Sequence, residues 1–380
     1  MKRLIPLIAV FACTAAHAAL PETPLTSQYT INTSETLTDS PYVVSTGSVL
    51  NIGDDAGGSG TLNVLYSEQA LVFSGGGTIN IGTAETVGEF HLTGTNENFP
   101  ANSYTRVMDF SGLINVNEMG SFVLDGYYPS IWGELVVIGT LNLRGTFSTP
   151  ITGSSNSYIQ IKNLNLYNGA NLYSTSSPLK MGSSSVWNLY SSGITTGRIR
   201  VGSSSTINLK GENVLKNVGS VAIDDNDVTM TMSVDNYSNV IKELGFNKGS
   251  VLNIYLDPFR DADSVLSILS LTTKDNRVMA GEEFEMNINS FSNDSIFIGD
   301  KNGITVQDDG RIYIATKDAY VKLSAYSAEG EEIFGDWSLD WNDDMGLFAL
   351  NNTGAIPEPG ACAAAFGVLA LAYAARRRRN

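Results

Sequence analysis

The chain has 380 residues, of which 42% are hydrophobic and 16% are charged, so it can form a globular body of one or two domains. Its formal net charge is −16 at neutral pH. This acidity argues against a nucleic-acid partner, because proteins that bind nucleic acids need clustered Lys and Arg.

The segment 1–18 is typical of a secretory signal peptide. Lys2 and Arg3 precede a short apolar run at residues 4–12, and Ala16 and Ala18 supply the small residues that a signal peptidase reads. The apolar run is too short for a helix that spans a bilayer. We therefore expect signal peptidase to remove residues 1–18 during export.

A short phrase recurs after the signal: a small or β-branched residue, an aliphatic or aromatic residue, Asn and an aliphatic residue. Its central asparagines are Asn51, Asn63, Asn80, Asn142, Asn165, Asn188, Asn208 and Asn253. From Asn142 to Asn208 the spacing is nearly even, and Asn253 follows after about two such steps. A period of about 20 to 25 residues in a chain rich in β-formers and Gly is typical of stacked β-coils.

The repeats predict an all-β chain with a β-solenoid, similar to a parallel β-helix, over residues 19–257. A conventional β-sandwich is the alternative, since it also uses short strands with frequent turns. In composition and repeats the region loosely resembles the passenger domains of autotransporters. That resemblance implies a solenoid on a bacterial surface.

Strand alternation predicts which side chains face the core. If Ile207 and Leu209 point inward, then Asn208 and Lys210 point outward. The recurrent asparagines are then expected on the outer face, where their amides can hydrogen-bond from coil to coil.

Outward tyrosines on neighbouring coils suggest a glycan-binding surface. Tyr167, Tyr173 and Tyr190 would form an aromatic patch, and aromatic faces stack on sugar rings. The alternative is that these are ordinary surface tyrosines or pack beneath a loop.

Acidic turns raise the possibility of calcium. Asp224, Asp225 and Asp227 form the strongest candidate, although the sequence matches neither the EF-hand loop nor the nonapeptide of calcium β-rolls. The alternative is that these are ordinary turns, because Asp favours turns through hydrogen bonds to the nearby backbone. No cofactor is expected beyond this possible calcium ion.

Residues 258–355 lack the Asn phrase and carry denser charge. Residues 306–316 and 320–326 predict a pair of strands joined by a turn, and residues 337–341 and 347–350 predict two further strands. A solenoid needs an end cap that stops further coils from adding, so we expect a C-terminal β cap or small β domain here.

The C-terminal segment 356–380 combines three elements in a fixed order. Pro357, Glu358 and Pro359 precede an apolar stretch at residues 361–375, which predicts a short transmembrane helix. The arginines of residues 376–379 then keep the end of the chain in the cytoplasm, since positive charge beside a membrane helix is retained there. The basic residues are Arg376, Arg377, Arg378 and Arg379.

This order in residues 356–380 resembles the PEP-CTERM sorting signal of Gram-negative bacteria. The resemblance implies that an exosortase recognises the tail and cleaves near Pro357-Glu358-Pro359. It also implies transient contact with the inner membrane and delivery to the cell envelope, the cell surface or the extracellular matrix. It implies nothing about the activity of residues 19–355.

Catalytic motifs are weak by comparison. Both cysteines, Cys13 and Cys362, lie in the two terminal signals, and the sequence has neither a Gly-x-Ser-x-Gly elbow nor a phosphate-binding loop. We therefore expect a non-enzymatic, adhesin-like structural protein that is secreted and sorted to the surface. A glycan-binding module and a polysaccharide-active β-helix enzyme are the two alternatives, with extracellular polysaccharide as the expected partner of either.

Overall fold

The computed structural model describes residues 23–38, 41–66, 73–94, 106–127, 133–149, 151–152, 157–174, 177–261 and 263–354. These residues are all-β, with 34 strands and two single 3-10 turns at Lys274–Asn276 and Ala315–Lys317. The first half of the strands, in chain order, is β1 (Gln28–Ile31), β2 (Ser34–Thr38), β3 (Tyr42–Val44), β4 (Val49–Ile52), β5 (Gly60–Tyr66), β6 (Phe73–Gly75), β7 (Thr78–Ile81), β8 (Gly88–Gly94), β9 (Met108–Val116), β10 (Gly120–Tyr127), β11 (Gly133–Leu143), β12 (Thr146–Thr149), β13 (Ile151–Thr152), β14 (Ser157–Leu166), β15 (Asn171–Ser174), β16 (Leu179–Lys180) and β17 (Val186–Leu189).

The second half is β18 (Ile194–Val201), β19 (Ser205–Leu209), β20 (Val218–Ile223), β21 (Thr229–Val234), β22 (Asn239–Ile241), β23 (Leu244–Phe246), β24 (Val251–Leu256), β25 (Leu266–Ile268), β26 (Leu271–Thr273), β27 (Glu282–Asn289), β28 (Ile296–Ile298), β29 (Ile304–Val306), β30 (Ile312–Ile314), β31 (Ala319–Tyr326), β32 (Glu332–Ile333), β33 (Trp337–Asn342) and β34 (Leu347–Asn352).

Parallel pairing arranges most strands as stacked coils, and each coil passes through three strand positions. The first sheet runs β1-β4-β7-β9-β11-β14-β17-β19-β21-β24-β27-β31. The second runs β2-β5-β8-β10-β12-β15-β18, and β22, β25 and β28 take its place in later coils. The third runs β3-β6-β9-β11-β14-β16-β18-β20-β23-β26. This large, mostly parallel arrangement confirms the all-β prediction and is consistent with a β-solenoid.

Long strands turn the corner between sheets at glycines. Strands β9 and β11 each contribute to the third sheet and then to the first, with Gly112 and Gly139 at the bend. A Cβ atom at Gly139 would clash with the backbone carbonyl of Ser111 in the coil below. Stacked corners of this kind therefore need residues without side chains.

The core is built from columns of like side chains that repeat from coil to coil. On the second sheet Phe90, Phe122 and Phe147 stack, with ring centroids 4.8 and 4.7 Å apart. On the first sheet Trp187 is fully buried and its Nε1 donates a 2.9 Å hydrogen bond to the carbonyl of Ile161. Ile207 and Leu209 are also fully buried, as the alternation predicted.

Seven asparagines form a continuous amide ladder on the outer face of the first sheet. Each Nδ2 donates to the Oδ1 of the asparagine one coil earlier at 2.7–2.8 Å, and Asn51 donates to Thr30 at the start. The members are Asn51, Asn80, Asn115, Asn142, Asn165, Asn188 and Asn208. The expected outer ladder is thus confirmed for most of the phrase.

Two asparagines of the repeated phrase lie outside this ladder. Asn63 is on the second sheet, opposite Thr36 and His91, because it follows Asn51 within the same coil. Asn253 is on the first sheet but two residues from the ladder column, opposite Thr231, and it accepts a 3.0 Å hydrogen bond from Asn287. These two asparagines therefore occupy columns other than that of the ladder.

Antiparallel strands close the C-terminal end of the stack. Strands β30 and β32 pair with β31, the last strand of the first sheet, while β34 pairs with β28 and with β33. Parallel pairing between coils continues past residue 257 as far as β31, so the predicted repeat boundary falls within the stack and the antiparallel strands begin near residue 304. The expected strand pair at residues 337–341 and 347–350 is present as the β33–β34 hairpin.

The signal peptide, the Pro-Glu-Pro segment and the expected transmembrane helix lie outside the described residues. Within residues 23–354, apart from the gaps given above, no helix is long and apolar enough to cross a membrane.

The amide ladder predicts a stability effect at its centre. Replacing Asn165 with Ala removes a donor to Asn142 and an acceptor from Asn188, so we expect the free energy of unfolding to fall by about 1–2 kcal/mol. Thermal unfolding followed by circular dichroism would measure the change. Asn63→Ala is the matched control, because its contacts to Ser34 and Glu35 are 3.5 Å long; equal losses in both variants would contradict a role for the ladder.

Candidate functional site

Two of the three predicted glycan-binding tyrosines stack on each other at a corner of the first sheet. Tyr167 and Tyr190 follow β14 and β17 in successive coils, and their rings are parallel within 3° at a centroid distance of 5.6 Å. The Arg144 guanidinium lies 4.0 Å from the Tyr167 ring centroid, and the Lys210 ammonium lies 5.7 Å from that of Tyr190. These four residues, one per coil, form what we call the cation–tyrosine stack.

The stack covers the ring faces that a sugar would use. Tyr167 lies between Arg144 and Tyr190, and Tyr190 lies between Tyr167 and Lys210, so each ring has a neighbouring side chain on both sides. Tyr173 is elsewhere: it is on β15 of the second sheet, opposite Ser148. The structure therefore brings together two of the three tyrosines, and their role in glycan binding stays a prediction.

The candidate calcium residues do not converge on a common point. Asp224 is buried, and its carboxylate lies 3.5 Å from the Lys274 ammonium and 3.6 Å from the Arg200 guanidinium. Asp225 and Asp227 are exposed in the following turn, where Asp227 adopts a positive φ of 54°. Among the residues that the structure describes, no group of three or more His, Cys, Asp or Glu side chains could share a metal ion. Because the cations of Lys274 and Arg200 already lie beside Asp224, a calcium ion is disfavoured there. Calcium binding stays a prediction.

A loop at residues 274–281, here called the strap, folds back over the outer face of the third sheet. Asp275 accepts a 2.6 Å hydrogen bond from Arg198, which is 77 residues earlier in the chain, and Thr272 donates to Asn276 at 2.7 Å. The outward positions beneath it are small: Ala222 and Gly245 continue the column in which Arg200 stands. These two small residues are the sequence feature that could have indicated the strap, which we did not predict from the sequence.

Charge around the strap sets the protonation of Asp275. Burial acts to raise the pKa of its carboxyl, but the hydrogen bond and charge of Arg198, with Lys274 and Arg277, lower that pKa below its usual value. The Asp275 carboxylate therefore stays ionised, and the ion pairs that hold the strap persist well into the acidic range.

A cavity lies at the capped end. This terminal groove has a volume of about 1030 Å³, and its apolar lining includes Leu323, Ile333 and Trp337. At its rim Arg311 forms ion pairs with Asp309 at 2.6 Å and with Glu283 at 2.8 Å. These hydrogen bonds raise the pKa of Arg311 and lower that of Asp309, so the rim remains charged on both sides.

Comparisons of the chain with protein-family models, with curated proteins and with solved structures found no match.

The cation–tyrosine stack predicts energetic coupling between its two rings. A double-mutant cycle on Tyr167→Leu and Tyr190→Leu should give a coupling energy of about 0.5–1.5 kcal/mol, because the stacked rings touch. Chemical denaturation would measure it. In the control cycle Tyr173→Leu with Tyr190→Leu, the two effects should add within about 0.5 kcal/mol; coupling of equal size there would contradict the stack.

The strap predicts a pH-dependent stability difference. Asp275→Asn should lower the free energy of unfolding by about 1–2 kcal/mol near neutral pH, because it removes the ion pair with Arg198. Since folding lowers the pKa of Asp275, this contribution is complete above the unfolded-state pKa of about 4 and is lost as the pH falls through the lower folded-state value. Thermal midpoints of both proteins should therefore converge in acid.

The exposed neighbour Asp225 supplies the control for this experiment. Asp225→Asn should leave the thermal midpoint nearly unchanged across the same pH range. A difference between wild type and Asp275→Asn that does not shrink in acid would show that the Asp275 carboxylate is not what holds the strap.

Proposed function

We propose that this chain is an exported structural protein of the bacterial cell surface or extracellular matrix. In this proposal its stacked β-coils form a non-enzymatic, adhesin-like scaffold. The observation that carries the proposal is the continuous Asn ladder, which joins seven coils. Its side chains on the outer face of the first sheet hydrogen-bond to one another and so support the stack.

The length of the stacked coils also suits a scaffold. Twelve strands of the first sheet follow one another in parallel register among the described residues. At about 4.8 Å per strand, they extend about 50 Å along the stacking direction. Antiparallel strands β30 and β32 cover the last strand, which supports a unit of defined length rather than an open edge that would add further chains.

The two ends of the sequence supply the route in this proposal. Signal peptidase removes residues 1–18, and the apolar residues 361–375 then hold the exported chain in the inner membrane as a short transmembrane helix. An exosortase cleaves near Pro357, Glu358 and Pro359, and the released body reaches the envelope, the surface or the matrix. The support for this route is the order of sequence elements described above.

Glycan binding through the cation–tyrosine stack is the weaker candidate. Sugar recognition by stacking needs a free ring face, and both tyrosines of the stack have theirs covered by Arg144, Lys210 and each other. A structural role therefore fits Tyr167 and Tyr190 better, because their contacts join successive coils at the surface as the buried side chains do in the core.

The sorting route is tested at the arginine cluster. Replacing all four arginines of residues 376–379 with Gln should abolish tail processing, because the cytoplasmic positive charge that positions the tail is lost. Mass spectrometry of the protein from the producing cells, with immunoblots of membrane and released fractions, would show an unprocessed chain. Replacement of the same four residues with Lys is the matched control, since it keeps the charge. Normal release of the Gln variant would overturn the proposed route.

A further inference from the structure

Basic side chains gather on and beside the third sheet of an otherwise acidic protein. We call this group the basic strip: Lys162, Lys180, Arg198, Arg200, Lys274 and Arg277. Lys180 and Arg200 are direct register partners on β16 and β18, and Lys274 and Arg277 belong to the strap that folds back toward them. From β14 to β26 the strip crosses five strand spacings, which is about 24 Å.

The strip keeps an excess of positive charge after its own ion pairs are counted. Asp224 lies beside Lys274 and Arg200, and Asp275 lies beside Arg198 and Arg277. Two more acids, at positions 225 and 227, stand in the exposed turn at the edge of the strip. Even with all four carboxylates counted, the six cations exceed them by two, whereas the whole chain carries a formal charge of −16.

Two lysines at one end of the strip hold the uncompensated charge. Among the described residues neither Lys162 nor Lys180 takes part in an ion pair, and Lys162 is exposed. The Lys180 ammonium lies 4.6 Å from the Tyr158 ring centroid and 3.4 Å from its hydroxyl oxygen, so an aromatic ring rather than a carboxylate holds it in place. This arrangement positions the charge and leaves it unneutralised.

A linear polymer with spaced negative charges fits this surface. Lys180 and Arg200 stand in one column that Gln160 continues, and Lys162 lies two residues further along β14 from Gln160, so one extended chain could contact these side chains in turn. A duplex nucleic acid carries much denser charge, one phosphate per about 1.7 Å of axis, so the acidic body beside the strip would repel it more strongly than a polymer with widely spaced charges. Carboxylates accept hydrogen bonds from Arg and Lys, and sugars supply hydroxyl groups for the strip's polar neighbours, such as Gln160.

We propose that the basic strip binds a carboxylated linear polysaccharide, with Lys162 and Lys180 as the main points of attachment. This inference rests on the proposed function as a surface scaffold, and it names a partner for that scaffold. Binding is measured on the purified chain and tail processing in the producing cells, so the failure of one is distinguishable from the failure of the other.

The test measures binding of polygalacturonate to the full 380-residue chain, purified in a mild detergent, at low and at physiological salt. We expect binding that weakens as salt rises, because ions screen exposed charge pairs. The double variant K162Q/K180Q should bind at least about fivefold more weakly at low salt, since two attractive contacts are lost. The charge-matched control K216Q/K322Q removes two exposed lysines that lie outside the strip, and it should bind nearly as wild type does.

Four results would overturn the inference. Binding of K162Q/K180Q that equals that of wild type would exclude the two lysines as points of attachment. Wild-type protein that fails to bind polygalacturonate at low salt would exclude the polysaccharide. An equal loss in the K216Q/K322Q control would show that net charge, rather than the strip, governs binding. Tighter binding to duplex DNA than to polygalacturonate would assign the strip to nucleic acid. Circular dichroism on each variant would verify that the fold is retained.

Discussion

Register between neighbouring coils is the constraint on which the rest of this structure depends. Parallel strands about 4.8 Å apart place each side chain directly above its partner in the coil before, so like residues must recur at like positions. A slip of one residue would turn Asn165 into the core and Leu166 toward solvent. The Asn ladder opposes such a slip from outside, while Phe122 and its stacked neighbours oppose it from inside.

The same constraint shapes the surface. Each outward side chain lies next to the side chain at the same position in the neighbouring coil. The four residues from Arg144 to Lys210 therefore form the cation–tyrosine stack, in which two tyrosine rings lie between two cations. The first sheet thereby uses its outward side chains on internal contacts. The third sheet differs, since small residues such as Ala222 admit the strap, and Lys180 beside it contacts the Tyr158 ring rather than a carboxylate. Surface chemistry therefore varies by sheet more than by coil.

Growth of a stacked β-structure must also be stopped. Each coil presents backbone donors and acceptors to the next, and an uncovered last coil would pair with other chains. Here β31 receives the antiparallel strands β30 and β32, and β28 receives β34. The cap also creates the terminal groove, whose rim charges are held by Arg311. A protein that must persist outside the cell gains from closed edges, which agrees with the proposed scaffold role.

The sequence by itself determined the all-β class, the repeat between Asn142 and Asn208 and the inward side of the strands in that repeat, because alternation and period are local properties of the chain. It also located the Asn ladder and the hairpin at residues 337–352, where turn residues separate alternating strands. It could not place Asn63, since one short phrase serves two sheets, and it could not show that Tyr173 lies apart from Tyr167. The strap and the basic strip were decided only by tertiary structure, because Arg198 and Asp275 meet through coil stacking across 77 residues and no local pattern encodes that contact.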